Sequence, residues 1–475
     1  MQITNLNKGA INSIRPVFDG DKPKIYIETY GCQMNVNDSE VVAAIMQKAG
    51  YSVTKDIGDA NLILINTCSV RDNAEQRVWG RLEYFRQEKK KRANVTVGVI
   101  GCMAERLKDK LLENNIVDIV IGPDAYRELP KLVEKTESGQ KGINILLSRD
   151  ETYADISPVR LDKTGVTAFI SIMRGCNNVC AFCVVPYTRG SERSRNPETI
   201  IRELKELSEN GYKEVTLLGQ NVDSYSWNGV TFADLLAMVA ESTPAMRVRF
   251  STSHPKDMTD KVLETMAKYG NICNYIHLPV QSGSSAILQS MNRKYNREEY
   301  LQRIETIRKI IPDCAISTDI ITGFCKETQE DHEDTLSLMR EVGYDFAYMF
   351  KYSERPGTKA ARHFKDDVPE DVKIKRLTEI IDLQSELSLA SHRKDLNSIV
   401  EVLVEDTSKR SENDLCGRTP QNKMVVFPKG NHKIGDLVKV KITDCSQATL
   451  KGIAQTMFNN EEHRDTTLPD VSVNA

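Results

Sequence analysis

A chain of 475 residues with 40% hydrophobic content is long enough for roughly two to four separately packed domains. Its 64 basic and 67 acidic side chains leave a net charge of −3, which excludes a polycationic nucleic-acid binder, so any basic surface has to be local. No apolar run nears the ~20 residues of a membrane span, and the polar opening MQITNLNKGAINSIRPVFDG lacks a signal-peptide core. The expectation is a cytoplasmic protein with no membrane partner, whose eleven cysteines are metal ligands or small buried hydrophobes rather than disulfides.

Residues 1–22 read as a loose leader. The runs KIYIETY (Lys24–Tyr30), NLILINT (Asn61–Thr67), VTVGVIG (Val95–Gly101) and DIVIG (Asp118–Gly122) read as strands. Helical patterns separate them, and that alternation predicts a parallel α/β domain over 23–140. Residues 137–165 read as a connector. A second β/α series over 160–394 has six strands, AFISIM (Ala168–Met173), EVTLLG (Glu214–Gly219), RVRFST (Arg247–Thr252), YIHLPV (Tyr275–Val280), AISTDIITG (Ala315–Gly323) and FAYMFKYS (Phe346–Ser353). Without a dinucleotide-type glycine fingerprint, this predicts a partial (β/α)6 barrel that works at its strand C-terminal ends. Short strands and turns over 396–456 predict a small β-barrel, and the tail 457–475 reads as disordered. The fold class is therefore α/β, with a small all-β unit at the end.

Cys176, Cys180 and Cys183 follow the first barrel strand at C-x3-C-x2-C. Iron–sulfur clusters are normally held by four thiolates, so three leave one iron of a 4Fe–4S cluster open to an exchangeable ligand. A zinc site completed by His254 or His277, or three unrelated buried cysteines, are the bland alternatives. The spacing, with Phe182 before the last cysteine, resembles the radical S-adenosylmethionine (SAM) superfamily. That resemblance implies that SAM's amine and carboxylate fill the open position, that one electron then cleaves SAM to a 5′-deoxyadenosyl radical, and that Phe182 lies against the adenine.

Cys32, Cys68 and Cys102 share no short motif, yet each directly follows a strand: KIYIETYGC, NLILINTC, VTVGVIGC. In a parallel sheet these ends share one edge, where ligand sites gather. YGCQMNVNDSE, NTCSVRDNAE and GCMAERL, together with the other triad, resemble the methylthiotransferase family over roughly residues 23–455. The resemblance implies two 4Fe–4S clusters, SAM, a sulfur-donating role for the second cluster, and a C-terminal RNA-binding barrel of the TRAM type. CVVPYTRGSERSR and LLGQNVDSY are most similar to the branch that methylthiolates C2 of N6-isopentenyladenosine at position 37 of tRNA, 3′ of the anticodon. Sister branches act on threonylcarbamoyladenosine in tRNA or on a ribosomal-protein aspartate. An iron–sulfur RNA-binding or electron-transfer protein is the alternative of another class. Implied partners are the tRNA anticodon stem-loop, a low-potential electron donor and a sulfur or cluster carrier.

Weaker candidates remain. Gly219, Gln220 and Asn221 end the second barrel strand, where the family contacts the SAM amino group. Gln281 opens QSGSS, a candidate pocket lining. ISTDIITGFCKET, which contains Asp319, matches a segment near the SAM ribose, but Cys325-Lys326 stands where Pro-Gly is usual. Arg174, Arg189, Arg193 and Arg195 flank the cluster loop and are candidate phosphate ligands. In the last domain Lys409, Arg410, Arg418, Lys423, Lys429, Lys439 and Lys441 are candidate phosphate contacts, and Phe427 is the candidate stacking aromatic. No catalytic residue beyond the cluster ligands is predicted.

Overall fold

The computed structural model describes residues 22–68, 72–92, 94–162 and 164–455. The expected leader up to Asp21 and the expected tail from 457 lie outside these residues. Among the described residues no helix is long and apolar enough to cross a membrane.

The N-terminal unit comprises β1 (Lys24–Tyr30), α1 (Gln33–Lys48), β2 (Ser52–Val53), β3 (Leu62–Thr67), α2 (Asp72–Lys91), β4 (Thr96–Ile100), α3 (Cys102–Glu113), β5 (Ile119–Ile121), α4 (Leu129–Glu137) and β6 (Gly142–Asn144). All strands pair in parallel, in the order β2-β1-β3-β4-β5-β6. Every residue of β3 is buried, because its two faces feed two separate cores. Leu62 and Leu64 pack with α1 and α4, whereas Ile63 and Ile65 pack with α2 and α3. Two strands of this unit, β2 and β6, escaped sequence reading, because two or three residues carry no usable period. The second lies inside the expected connector. Farther along that segment, Tyr153 and Ile156 also pack into the α1 core.

The second unit runs through β7 (Thr167–Ser171), β8 (Met173–Arg174), α5 (Val185–Arg189), β9 (Arg193–Ser194), α6 (Pro197–Glu209), β10 (Glu214–Leu218), β11 (Ser226–Trp227), β12 (Val230–Thr231), α7 (Phe232–Ser242), β13 (Arg247–Ser251) and α8 (Asp260–Lys268). It continues with β14 (Tyr275–His277), α9 (Ser285–Ser290), α10 (Arg297–Ile310), β15 (Ala315–Thr322), α11 (Gln329–Val342), β16 (Phe346–Lys351), α12 (Lys359–His363) and α13 (Glu370–Arg393). The six predicted barrel strands form two parallel half-sheets, β7-β10-β13 and β14-β15-β16. A bridge from Val248 to Ile272 and a hydrogen bond from the Ser253 N–H to the His277 carbonyl (3.3 Å) join them. Ile170, Val215, Leu217, Val248, Ile316 and Ala347 pack outward into the helical layer. Strand alternation therefore turns the intervening residues to the inner face. Register there sets His277 and Phe346 beside Ser317, Tyr348 beside Asp319, and Phe350 beside Ile321.

The last unit closes as a barrel, β17 (Ile399–Thr407), β18 (Asp414–Arg418), β19 (Met424–Pro428), β21 (Leu450–Ala454) and β20 (Leu437–Cys445). It is seated on the partial barrel by Arg249, which donates to the carbonyls of Thr419 (2.7 Å) and Pro420 (2.8 Å), and by Arg247, which pairs with Glu401 (2.8 Å).

Candidate functional site

Cys32, Cys68 and Cys102 sit at the C-terminal ends of β1, β3 and β4, three consecutive strands of the sheet. Two asparagines tie the loops together. Asn35 Nδ2 donates to Asn66 Oδ1 (3.0 Å), and Asn66 Nδ2 donates to the Asn35 carbonyl (2.8 Å) and Ser39 (2.9 Å). Gly31 (φ 140°) and Gly101 (φ 88°) let the strand ends close up; a Cβ on Gly31 would lie 2.9 Å from the Cβ of Cys68, and one on Gly101 would strike Asn66 and the Thr67 carbonyl. Burial pushes the Cys102 thiol up, the neighbouring Arg189 opposes this, and a Cys32 thiolate adds to it.

Arg189 belongs to the other domain, on α5 directly after the first triad's loop. It donates from Nε to Cys102 Sγ (3.1 Å) and from Nη2 to Asp38 (2.8 Å). Asp38, fully buried on α1, also accepts from Arg174 (2.8 Å) and, at 3.4 Å, from the Tyr126 hydroxyl. Burial alone would raise its carboxyl pKa, but the Arg174 and Arg189 guanidiniums outweigh burial and hold it below the usual carboxylate range. Arg193 binds Asp124 (2.9 and 3.0 Å), and Arg195 binds Glu203 (2.5 Å). Arg160 then links Glu203 (2.6 Å) to Glu40 of α1 (2.8 Å). All four arginines expected to meet phosphates are thus buried and paired with carboxylates. The reason is tertiary: most of their partners come from the N-terminal domain, so they clamp the two domains together.

The first triad occupies the loop between β8 and α5, which packs through Ala181 N on the Met291 carbonyl (2.8 Å) and Cys176 N on the Gly190 carbonyl (3.1 Å). Burial, with the Cys180 sulfur adding to it, pushes the Cys176 thiol up to about 11 and the Cys183 thiol up to about 12. Arg293, itself buried, donates to Cys180 Sγ at 3.3 Å. Each triad therefore has one buried guanidinium on one sulfur, a cation placed to favour thiolates. Among the described residues no group of three Cys, His, Asp or Glu side chains is placed to hold a single metal ion. His277 is engaged by Ser317 (2.8 Å) and His254 by the Lys256 N–H (3.3 Å). With three thiols each and no fourth ligand, both donor sets fit a 4Fe–4S cluster with an open corner.

Beside Cys183 a cavity of about 390 Å³ is lined by Phe182, Gln281, Asp319, Ile321, Phe350 and Tyr352, among others. Three of the sequence-predicted pocket residues thus meet in one place. Gln281 adopts φ 76°, a left-handed backbone conformation rarely taken by a side-chain-bearing residue. Gly219, Gln220 and Asn221 do not line that cavity; Asn221 donates to Asp257 (2.7 Å), and Gln220 Oε1 and Asn221 Oδ1 are buried without a partner. The Cys325-Lys326 turn survives its unusual residues: Lys326 takes φ 68°, the conformation glycine would adopt, and donates its N–H to Asp367 (2.8 Å).

In the terminal barrel Phe427 is core, 1% exposed, and cannot stack on a base from outside. Lys423 is tied to Asp395 (2.7 Å) and to the Ser391 carbonyl (3.3 Å), which makes it part of the seam, and Arg418 is held within the barrel by the Asn422 carbonyl (3.2 Å). Lys439 and Lys441 alternate along the exposed side of β20, with Ile399 and Ile453 flanking Lys441. Among the exposed aromatics that sequence reading missed, which also include Tyr84 and Tyr187, Phe346 (47% exposed) and Tyr348 (44%) stand together, edge-on at 4.9 Å on the inner face of β16. Asp38, Asp124 and Arg293 were also missed, since nothing in their local pattern marks them.

Three family models match the chain: the Radical SAM superfamily over residues 170–339, Uncharacterized protein family UPF0004 over 24–122, and the TRAM domain over 393–454. A curated protein of Phocaeicola vulgatus named tRNA-2-methylthio-N(6)-dimethylallyladenosine synthase is 59% identical over 439 residues, covering 91% of this chain and 96% of its own. Proteins of the same name from Bacteroides thetaiotaomicron (58% over 437 residues, 91% and 96%) and Christiangramia forsetii (55% over 448 residues, 90% and 93%) are similar too. Among solved structures, the radical S-adenosylmethionine methyltransferase TsrM of Kitasatospora setae superposes with a TM-score of 0.55 at 11% identity, over 71% of this chain and 75% of that one. The cobalamin-dependent S-adenosylmethionine radical enzyme OxsB gives 0.51 at 13%, over 77% and 56%. At these identities the two structures speak to the fold alone.

Proposed function

Because the chain belongs to the family of tRNA-2-methylthio-N(6)-dimethylallyladenosine synthases, we propose that it methylthiolates C2 of N6-isopentenyladenosine at position 37 of tRNA. The observation that carries this reading is the contact between the two triads' surroundings: Arg189, six residues after Cys183, touches the sulfur of Cys102. Two sites built to act on one substrate atom have to open onto each other.

The target C–H bond is unactivated, so side-chain acids and bases have little hold on it. When bound, SAM and the cluster of Cys176, Cys180 and Cys183 supply one-electron chemistry there, and the cluster of Cys32, Cys68 and Cys102 supplies the sulfur. The chain's own residues do the rest. Phe182 offers a flat apolar wall for the SAM adenine next to Cys183, while Gln281 and Asp319 offer polar groups in the same cavity. Gly219, Gln220 and Asn221 lie outside that cavity, and the unpartnered Gln220 and Asn221 oxygens support a role for them in binding an ammonium group. Arg293 and Arg189 stabilise ligating thiolates. The inner face continues past Asp319 to Tyr348 and Phe346, where unpaired anticodon-loop bases can stack, and on to the terminal barrel.

The test is mass analysis of tRNA nucleosides after anaerobic incubation with SAM and a low-potential reductant. Conversion of N6-isopentenyladenosine to its methylthio derivative is expected. Methylthiolation of threonylcarbamoyladenosine instead, or SAM cleavage with no sulfur transfer, would overturn the assignment.

A further inference from the structure

Arg189 carries one donor that the clamp leaves unused. The residue is 3% exposed; Asp38 takes its Nη2 and the Cys102 sulfur its Nε, yet Nη1 is buried with no partner. Buried polar groups without partners are uncommon, and one that stands beside a set of ligating thiols is placed to serve a bound group. The comparison with Arg293 sharpens the point. That arginine touches the other triad through Cys180, but its Nε goes to Tyr295 (2.9 Å) and its Nη2 to the Pro279 carbonyl (2.9 Å), so the protein satisfies it on every nitrogen. Among the described residues the Nε of Arg106, Arg174, Arg249 and Arg376 is also buried without a hydrogen-bond partner, but of the two arginines that touch a triad sulfur Arg189 alone keeps such a nitrogen.

Resting on the function proposed above, we propose that Arg189 is a positioning residue for the group held by Cys32, Cys68 and Cys102. Nε fixes the Cys102 sulfur, and Nη1 donates to an anionic sulfur of the bound group. Because Arg189 ends α5, whose first residues follow Cys183, the same side chain sets the register between the two sites. Asp38 supplies the counter-charge that keeps the guanidinium oriented.

The experiment uses the full-length chain with Cys176, Cys180 and Cys183 changed to Ala, so that only the second triad can hold a cluster. Into it go Arg189→Lys, which keeps a cation beside Asp38 but loses the fork, Arg189→Gln, and Arg293→Lys as control. After anaerobic reconstitution the readouts are iron content and a redox titration followed by electron paramagnetic resonance. A cationic donor at a ligand sulfur favours the reduced, more negative cluster, so both Arg189 variants are expected to titrate at more negative potential, with the control unmoved. If Arg189→Gln fails to fold, Arg189→Lys alone decides. An unchanged potential overturns the role of Arg189, as does an equal shift in the control, which would mark general loosening. A parent that binds no iron, rather than about four atoms per chain, sinks the functional reading itself.

Discussion

Replacing Asp38 with Asn should uncouple the N-terminal domain from the partial barrel. Asp38 is fully buried, and it accepts charge-assisted hydrogen bonds of 2.8 Å from Arg174 and from Arg189, which are themselves 1% and 3% exposed. Losing the carboxylate strands two buried cations. Arg174 keeps the Pro123 carbonyl (3.0 Å) and a longer contact with Asp124 at 3.7 Å, so no close carboxylate replaces Asp38. Breaking a buried pair in this way costs about 3–5 kcal/mol. The chain offers a convenient assay, since it has two tryptophans, Trp79 on α2 of the first domain and Trp227 on β11 of the second. In a Trp227→Phe background, urea unfolding followed by fluorescence reports the first domain. With a slope of about 2 kcal/mol per molar urea, the midpoint should fall by ~1.5–2.5 M. The low carboxyl pKa of Asp38 means that its stabilisation is present above the unfolded-state value near 3.8 and is lost only as pH falls through the still lower folded value. The gap between parent and variant should therefore stay constant from about pH 6 to 8. A midpoint shift below ~0.5 M, or a gap that closes within that pH range, would refute the clamp.

Three further outcomes are expected. Phe346→Ala and Tyr348→Ala should each weaken binding of an anticodon stem-loop by about tenfold, in line with ~1–3 kcal/mol per stacked base, while the salt dependence stays as it was; unchanged affinity in both would remove the aromatic pair from the RNA path. Lys326→Gly should raise the melting stability by about 0.5–1.5 kcal/mol, because the left-handed backbone costs a side-chain-bearing residue ~1–2 kcal/mol and the contact with the Phe364 ring returns only about 0.5. A destabilised variant would show that the lysine side chain matters more than its φ. His254 is held neutral, its pKa pushed down to about 2 by burial and by the Arg293 and Lys256 charges. Only the unfolded chain then takes up a proton there as pH drops below 6.5, so this residue's share of stability falls by about 1 kcal/mol between pH 6.5 and 5.5. His254→Asn should lack that acid limb; parallel pH curves for parent and variant would contradict it.

The strand ends that carry both triads were legible because each rests on a local signal. β3 opens with four apolar residues, Leu62 to Ile65, and a cysteine follows its last residue at once. The partners of the loop arginines were not legible, because their counter-charges lie far away in sequence: Asp38 is 136 residues from Arg174 and 151 from Arg189. In VNDSEVV an aspartate reads as the wet side of a helix, and only the arrival of the second domain buries it. Phe427 is a different kind of miss. It stands two residues after Val425 in MVVFP, and strand alternation puts both on one side, which the structure shows to be the barrel core. Phe346 and Tyr348 share a side by the same rule, but which side of β16 faces the lumen depends on how the half-sheets curve, and no local pattern encodes that.

The two edges of the split barrel are treated differently, and this constrains how a tRNA can approach. A sheet edge presents unpaired backbone groups that need a partner. At β7 the N-terminal domain and the segment that follows it supply one: Asn37 Nδ2 of α1 and Arg160 Nη1 both donate to the Phe169 carbonyl, at 3.3 and 2.9 Å. The domain that brings Cys32, Cys68 and Cys102 thus closes that flank. At the opposite flank β16 pairs only with β15, and its inner-face aromatics are half exposed. The small barrel sits below, held by Arg247 and Arg249. An anticodon loop entering from the β16 side would meet the aromatic pair first and the cavity beside Cys183 next, with Cys102 beyond α5. Entry from the β7 side would require the Asp38 clamp to open, a cost of about 3–5 kcal/mol that the exposed flank does not impose.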